Sequence, residues 1–364
     1  MILGSFANAC FGIVQFLVIS IYPLLARNLN LDLATIILSF TLGSLCFVFS
    51  SPFWATKSDV IGRQRVISLG LVGLALSFLV LIFLSSLNLS STWNITILLL
   101  SRIFYGLTAS SIVTGVQLWW KDEPGDDARK MINHSMSLNL GRLIAPIIVL
   151  LTQGHLMMIL WVIFSITLIL AIIMGLQENK LKTSSNPTGF KFQFFPAQKL
   201  ILASALFIGL IHSNLASEIM KNFNFDVQVT SLLTSKLLIL SSLVAFISQL
   251  IARRVKSLGV NHILKIGLVT WIISGICFSY LNHEIFLWLA VFFFSVGISL
   301  FLPGILALQK TSSEVGSTNS LIPLGMSLGG ALGWLVIKDI TPFSIMIMIL
   351  LSSIIFVKSR VHAV

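Results

Sequence analysis

Runs of about 20 mostly apolar residues follow one another along almost the whole chain, and few folds can use them. Each is long enough for one α-helix to cross a bilayer. Twelve can be read, approximately 4–26, 33–54, 66–87, 94–118, 134–153, 157–176, 199–219, 229–251, 263–281, 285–308, 316–337 and 342–358. Strands of a membrane β-barrel need only about 10 residues and alternate in polarity, which these runs do not. A water-soluble fold is excluded too. Of 364 residues, 56% are hydrophobic and 10% charged, against about 25% charged in a soluble domain. Mean hydropathy is +1.00. The sequence predicts an all-α polytopic membrane protein with 12 transmembrane helices. The first run lacks a basic leader and a small-residue cleavage site, so it reads as a span and not a signal peptide.

The net charge of +11 has a topological reading. With the N-terminus inside, 17 of the 23 Lys and Arg residues, from Lys57 to Arg360, lie in inner loops or the C-terminus. Outer loops hold three: Arg27, Lys221 and Lys338. Cations collect on the cytoplasmic side of membrane proteins, so both termini are expected in the cytoplasm. Cys10, Cys46 and Cys277 lie in apolar runs without metal-ligand spacing and read as small buried hydrophobes. Neither a cofactor nor a metal site is expected.

The halves repeat weakly. Gly62 and Gly70-Leu71-Val72 recur as Gly259 and Gly267-Leu268-Val269, each 197 positions on. Met136-Ser137-Leu138 recurs as Met326-Ser327-Leu328, and Gly106 has a counterpart in Gly297. The longest loop, 177–198, is polar and carries Pro187 and Gly189. The expected organisation is a six-helix bundle over 1–176, a cytoplasmic linker over 177–198 and a second, pseudo-symmetric bundle over 199–364. Paired six-span repeats related about the membrane normal are a transporter plan.

Between spans two and three stands Ala55-Thr56-Lys57-Ser58-Asp59-Val60-Ile61-Gly62-Arg63-Gln64-Arg65. It resembles the loop signature G-x-L-x-D-x-x-G-R-x-R of the major facilitator superfamily, with Ala55 and Lys57 replacing the leading Gly and the Leu. Arg102 followed by Gly106 in span four fits a second family feature. The resemblance covers the whole chain. It implies alternating access between two rocking halves, with Asp59, Gly62, Arg63 and Arg65 as a conformational latch. It also implies a central cavity lined by spans 1, 4, 7 and 10, with 5 and 8 beside them. Gly141-Arg142-Leu143-Ile144-Ala145-Pro146 departs from the G-P-x-x-G-G pattern of drug/proton antiporters.

Ionisable groups within spans are costly and mark function by default. Here they are Arg102, Arg142, Lys236 and His212. At about 1.5 Å per residue, Arg102, His212 and Lys236 lie roughly 10–12 Å from the outer edge and Arg142 near the midplane. Glu218, at the outer end of span seven, is the only acid near a span interior. A cavity so rich in cations needs anions, and the substrate is the natural source. Gln15, Tyr22, Asn139 and Asn319 are candidate polar partners, with Asn8, Gln117 and Asn214 as further neighbours.

The expected function is a secondary active transporter, working as a monomer in a bacterial inner membrane. Its substrate would be a small organic anion; within the family, carriers of carboxylate siderophores fit that description. Proton coupling would fall to His212, Glu218 or Asp59. The alternative is a multidrug/proton antiporter, which usually needs a membrane-embedded acid in the first half; none is found. The six histidines are scattered and no nucleophile–base pair is visible, so an enzyme is not expected. Neither nucleic acid nor ATP has a recognisable site.

Overall fold

The computed structural model describes residues 2–87, 89–125, 127–152, 155–177, 196–223, 225–255, 260–279, 283–307, 309 and 312–336. Among them run eleven helices in the expected order. They are α1 (Ile2–Asn28), α2 (Leu33–Ile61), α3 (Arg63–Ser86), α4 (Ser91–Asp122), α5 (Asp127–Leu151) and α6 (Leu156–Gly175). Then follow α7 (Pro196–Phe223), α8 (Val227–Arg254), α9 (Val260–Ser279), α10 (Glu284–Ala307) and α11 (Ser312–Val336). Every helix contains or closely overlaps its expected span. Most overrun the apolar run because polar residues continue or cap the helix beyond the hydrocarbon. Eight of the helices are long and apolar enough to cross a membrane, and α7 and α9 hold shorter apolar stretches. The twelfth expected span, 342–358, and nearly all of the linker 177–198 lie outside the described residues, as do Asn214's side chain and Gly259.

Local chemistry sets the helix ends. Asp32 caps α2 by accepting from the Thr35 amide at 3.3 Å, and Asp226 caps α8 by accepting from Val229 at 2.7 Å. Between α2 and α3 the chain reverses at one residue, Gly62, with φ 94°. A side chain there would be strained, so this turn requires glycine.

Helices α1 to α6 pack as α1 on α5, α2 on α4, and α3 on both α4 and α6. Beyond them α7 packs on α11, while α8 and α9 pack on α10. Two seams join these groups: α2 with α11 and α5 with α8. The first core is built around α1, whose Leu17, Ile21 and Leu25 have no exposure. The second holds Phe207, Trp271, Phe294 and Phe301. Large apolar residues such as Phe49 and Leu100 are exposed on outer helix faces, the arrangement a surrounding bilayer favours.

The internal repeat is visible in how helices touch. A Cβ on Gly12 would lie 2.2 Å from the Leu138 carbonyl oxygen, and one on Gly141 would lie 1.8 Å from that of Ala9. In the second half, a Cβ on Gly209 would lie 1.9 Å from Met326 O, and one on Gly329 would lie 2.0 Å from Leu206 O. The pairs correspond: α1 positions reappear in α7 at a shift of 197, α5 positions in α11 at 188. The first shift agrees with the glycine repeat read from the sequence. The second corrects the Met-Ser-Leu match. Met326 is the counterpart of Leu138 and not of Met136, so that match is two residues, more than half a helical turn, out of register.

Candidate functional site

The helix ends bearing Lys57, Arg63, Arg65, Lys121, Lys130, Arg253 and Arg254 define a basic face. Two adjoining cavities lie between the helix groups. The distal one, farther from the basic face, is lined by Tyr22, Phe40, Arg102, Tyr105 and His212 among others. The proximal one is lined by Ser51, Ser110, His134, Asn139, Gln249 and Asn319 among others. Phe11, Gln15, Phe47, Arg142, Ile322 and Pro323 border both. Among the described residues, no Asp or Glu lines either cavity.

Arg142 follows Gly141, where α5 touches the α1 backbone, so its position is set by that contact. Its Nε and Nη2 donate to Gln15 Oε1 at 3.3 and 2.8 Å, and its Nη1 donates to Asn139 Oδ1 at 3.2 Å. Asn139 donates to Gln249 of α8 at 3.0 Å, and Gln249 donates to the Ser299 carbonyl of α10 at 3.0 Å. One chain of polar contacts thus runs from α1 to α10 through the guanidinium. The Phe16 ring lies 5.3 Å from that guanidinium carbon and edge-on to His212 at 5.2 Å. His212 also meets Phe294 edge-on at 5.2 Å. It is buried, and among the described residues neither ring nitrogen has a hydrogen-bond partner. By the 197 shift, His212 is the counterpart of Gln15, so equivalent positions of the two halves flank Arg142.

Arg102 differs. It has no exposure, with Nη2 donating to Ser77 Oγ at 2.5 Å and to Ser101 at 3.2 Å. Its guanidinium lies over Phe40 at 4.4 Å and near Tyr105 at 5.3 Å. Its Nε and Nη1 have no partner among the described residues. It therefore stands behind an aromatic wall, clamped to α3. Lys236 is exposed and borders neither cavity. Glu218 also lies outside both and accepts from the Asn222 amide at 3.1 Å. Sequence reasoning passed over His134 and Gln249. Asn8 reaches the His134 carbonyl at 2.8 Å. Their signal was a polar residue facing its own kind across a helix crossing, which one chain read alone does not reveal.

At the basic face, Arg63 bridges Asp59 at 2.6 Å and Asp122 at 3.1 Å, and also donates to Ser58. Arg65 is exposed. This cluster ties α2, α3 and α4 to one another. Contact with the second half comes from Ala55, one turn earlier, packed against Gly316 and Val315 of α11. Beside it Gln117 donates to Gln309 at 3.1 Å, Asn319 donates to Gln117 at 2.8 Å and to Thr114 at 3.4 Å, and Lys121 reaches the Gln309 carbonyl. These contacts close the basic face.

The Major Facilitator Superfamily profile matches residues 4–215. The chain belongs to that superfamily. Its fold is similar to a crystal structure of the human organic anion transporter MFSD10 (TETRAN), at TM-score 0.73 and 16% identity over 97% of each chain. It is also similar to a bacterial homologue of the iron transporter ferroportin in an outward-facing state. There the TM-score is 0.69 and the identity 16%, over 98% of this chain and 97% of the other. No curated protein sequence matches the chain. As a superfamily member it is a transporter of the secondary type and not an enzyme.

Superfamily transporters work by opening each face in turn, so the polar closure is open to test. Replacing Gln117 and Asn319 together with Ala removes three hydrogen bonds, each contributing about 0.5–1.5 kcal/mol. A cysteine at Ser135 in the proximal cavity should then react with an impermeant thiol reagent from the basic face about tenfold faster or more. An unchanged rate would mean that apolar packing alone holds this face shut.

Proposed function

We propose that this transporter binds a small organic anion where the two cavities meet and carries it through the membrane by alternating access. The observation that carries the reading is Arg142. It is a partly exposed guanidinium bordering both cavities, hydrogen-bonded to amide oxygens, and among the described residues no carboxylate lines either cavity. A guanidinium fork suits carboxylate or phosphate. The likeness to an organic anion transporter agrees with this choice. The lack of acids speaks against both a bare metal cation and a cationic drug as cargo.

In this reading Tyr22, Asn139 and His212 bind beside Arg142, and Gln15 holds the guanidinium from the shared rim. Arg102 contributes field from behind Phe40, and Asn319 lies at the proximal end. A polycarboxylate such as a carboxylate siderophore falls within the substrate class. The proton gradient is the proposed drive. His212 is its best-placed acceptor, because it borders the cavity and Glu218 does not. Bundles 1–176 and 199–364 rock about the linker as a monomer, with Asp59 and Arg63 bracing the α2, α3 and α4 ends, which meet the second half through Ala55, Gln117 and Lys121. The excess of cations at the basic face supports a cytoplasmic orientation for that face, and a bacterial inner membrane is the proposed location.

The test is the melting temperature of the purified chain in detergent with lactate, malate or citrate, and with tetraphenylphosphonium, at matched ionic strength. Carboxylates should raise it, since a ligand at 100 times its Kd adds about 2.7 kcal/mol of stability. Stabilisation by the cation alone would overturn the reading in favour of drug transport.

A further inference from the structure

Arg142 meets the cavities, yet one edge of its guanidinium is already taken. Nε and Nη2 both point at a single oxygen, Gln15 Oε1, at 3.3 and 2.8 Å. That side-on edge is one of the two that a carboxylate can grip with two oxygens. Nη1 is turned the other way, to Asn139. Gln15 thus stands where an anion would sit, offering one neutral oxygen in place of two charged ones. Gln15 is itself partly exposed and borders both cavities, so it has space into which to withdraw.

We propose that Gln15 is a placeholder: it satisfies Arg142 in the empty transporter, and the incoming carboxylate displaces it from the Nε–Nη2 edge. Position 15 then sets the charge selectivity of the site. The exchange favours an anion because a carboxylate brings a second acceptor oxygen and a full opposite charge, where Gln15 brings one neutral oxygen. It disfavours neutral compounds, which gain no more from Arg142 than Gln15 does. The empty site need not hold an orphaned buried cation. Because Gln15 and Arg142 are part of the rim shared by the cavities, the same exchange loosens the bar between them.

This inference rests on the anion reading, and the experiment separates the two. Citrate and malate binding is measured by calorimetry on the full chain in detergent, for wild type, Arg142→Ala, Gln15→Leu and Gln15→Glu. Removing the competing group should tighten binding in Gln15→Leu by about three- to tenfold. Gln15→Glu installs a permanent carboxylate, so it should raise the melting temperature of the empty protein and weaken binding at least about tenfold. Weaker binding in Gln15→Leu with an unchanged melting curve would make Gln15 a direct ligand and overturn the placeholder. Wild-type affinity in Gln15→Glu would do the same while leaving the anion reading intact, provided Arg142→Ala has lost binding. Equal binding in wild type and Arg142→Ala, or none in either, overturns both. Should Gln15→Leu fail to fold, Gln15→Asn, one methylene shorter, gives the same decision.

Discussion

Arg142→Ala is expected to lose about 10- to 150-fold in anion affinity, because a hydrogen bond to a charged group contributes roughly 1.5–3 kcal/mol. The loss should fall on binding and not on folding. Arg142 is partly exposed, and its partners Gln15 and Asn139 can turn to water or, for Asn139, keep Gln249. Arg142→Lys should recover part of the affinity, since an ammonium carries the charge but not the fork. Arg102→Ala should behave in the opposite way. That side chain has no exposure and is clamped to Ser77, so its removal leaves a void between α3 and α4 and lowers the melting temperature first. Calorimetry beside thermal melts separates the outcomes. An Arg142→Ala protein that binds anions normally would sink the assignment.

Gly141→Leu is expected to abolish the assembled protein. Its first side-chain atom would lie 1.8 Å from the Ala9 carbonyl oxygen and 2.6 Å from the carbonyl carbon, both backbone. No rotamer relieves that contact, so α1 and α5 must separate by more than an ångström. Membrane helices associate through such close backbone approach. The cost should exceed the about 1–3 kcal/mol usual for overpacking, where side chains can yield. Size-exclusion chromatography of detergent extracts should show aggregate in place of a monodisperse peak. Gly329→Leu, facing Leu206 across α7 and α11, should match it. A folded Gly141→Leu protein that still binds anions would show that this crossing does not hold Arg142 in place.

The helices were legible in the sequence because a bilayer demands length and apolarity, and both are one-dimensional properties. Depth is also one-dimensional, and it put Arg102, His212 and Lys236 at one height. Direction around the helix is not. Lys236 faces away, and Arg102 is turned towards Ser77, because azimuth is set by neighbouring helices. The same limit hid the register of α11. A three-residue identity pointed to Met136 and Met326, whereas backbone contact pairs Leu138 with Met326. Gln15 and Arg142 border both cavities, Tyr22 and His212 the distal one and Asn139 the proximal one; the family's arrangement supplied the azimuth that the sequence lacked. Gln249 and Gln309 were passed over because a neutral amide near a helix end resembles ordinary interfacial polarity.

The paired glycine contacts give the α1–α5 and α7–α11 crossings the same build, yet the residue matching Arg142 at the 188 shift is Gly330, and the residue matching Gln15 is His212. In the anion reading the charged grip therefore belongs to the first copy and has no counterpart at Gly330 in the second. In the anion reading proposed above, substitutions at His212 on α7, or at Phe294 on α10 against which it packs, would reshape the cavity wall, whereas those at Gln15 on α1 or Arg142 on α5 would alter the charge it accepts.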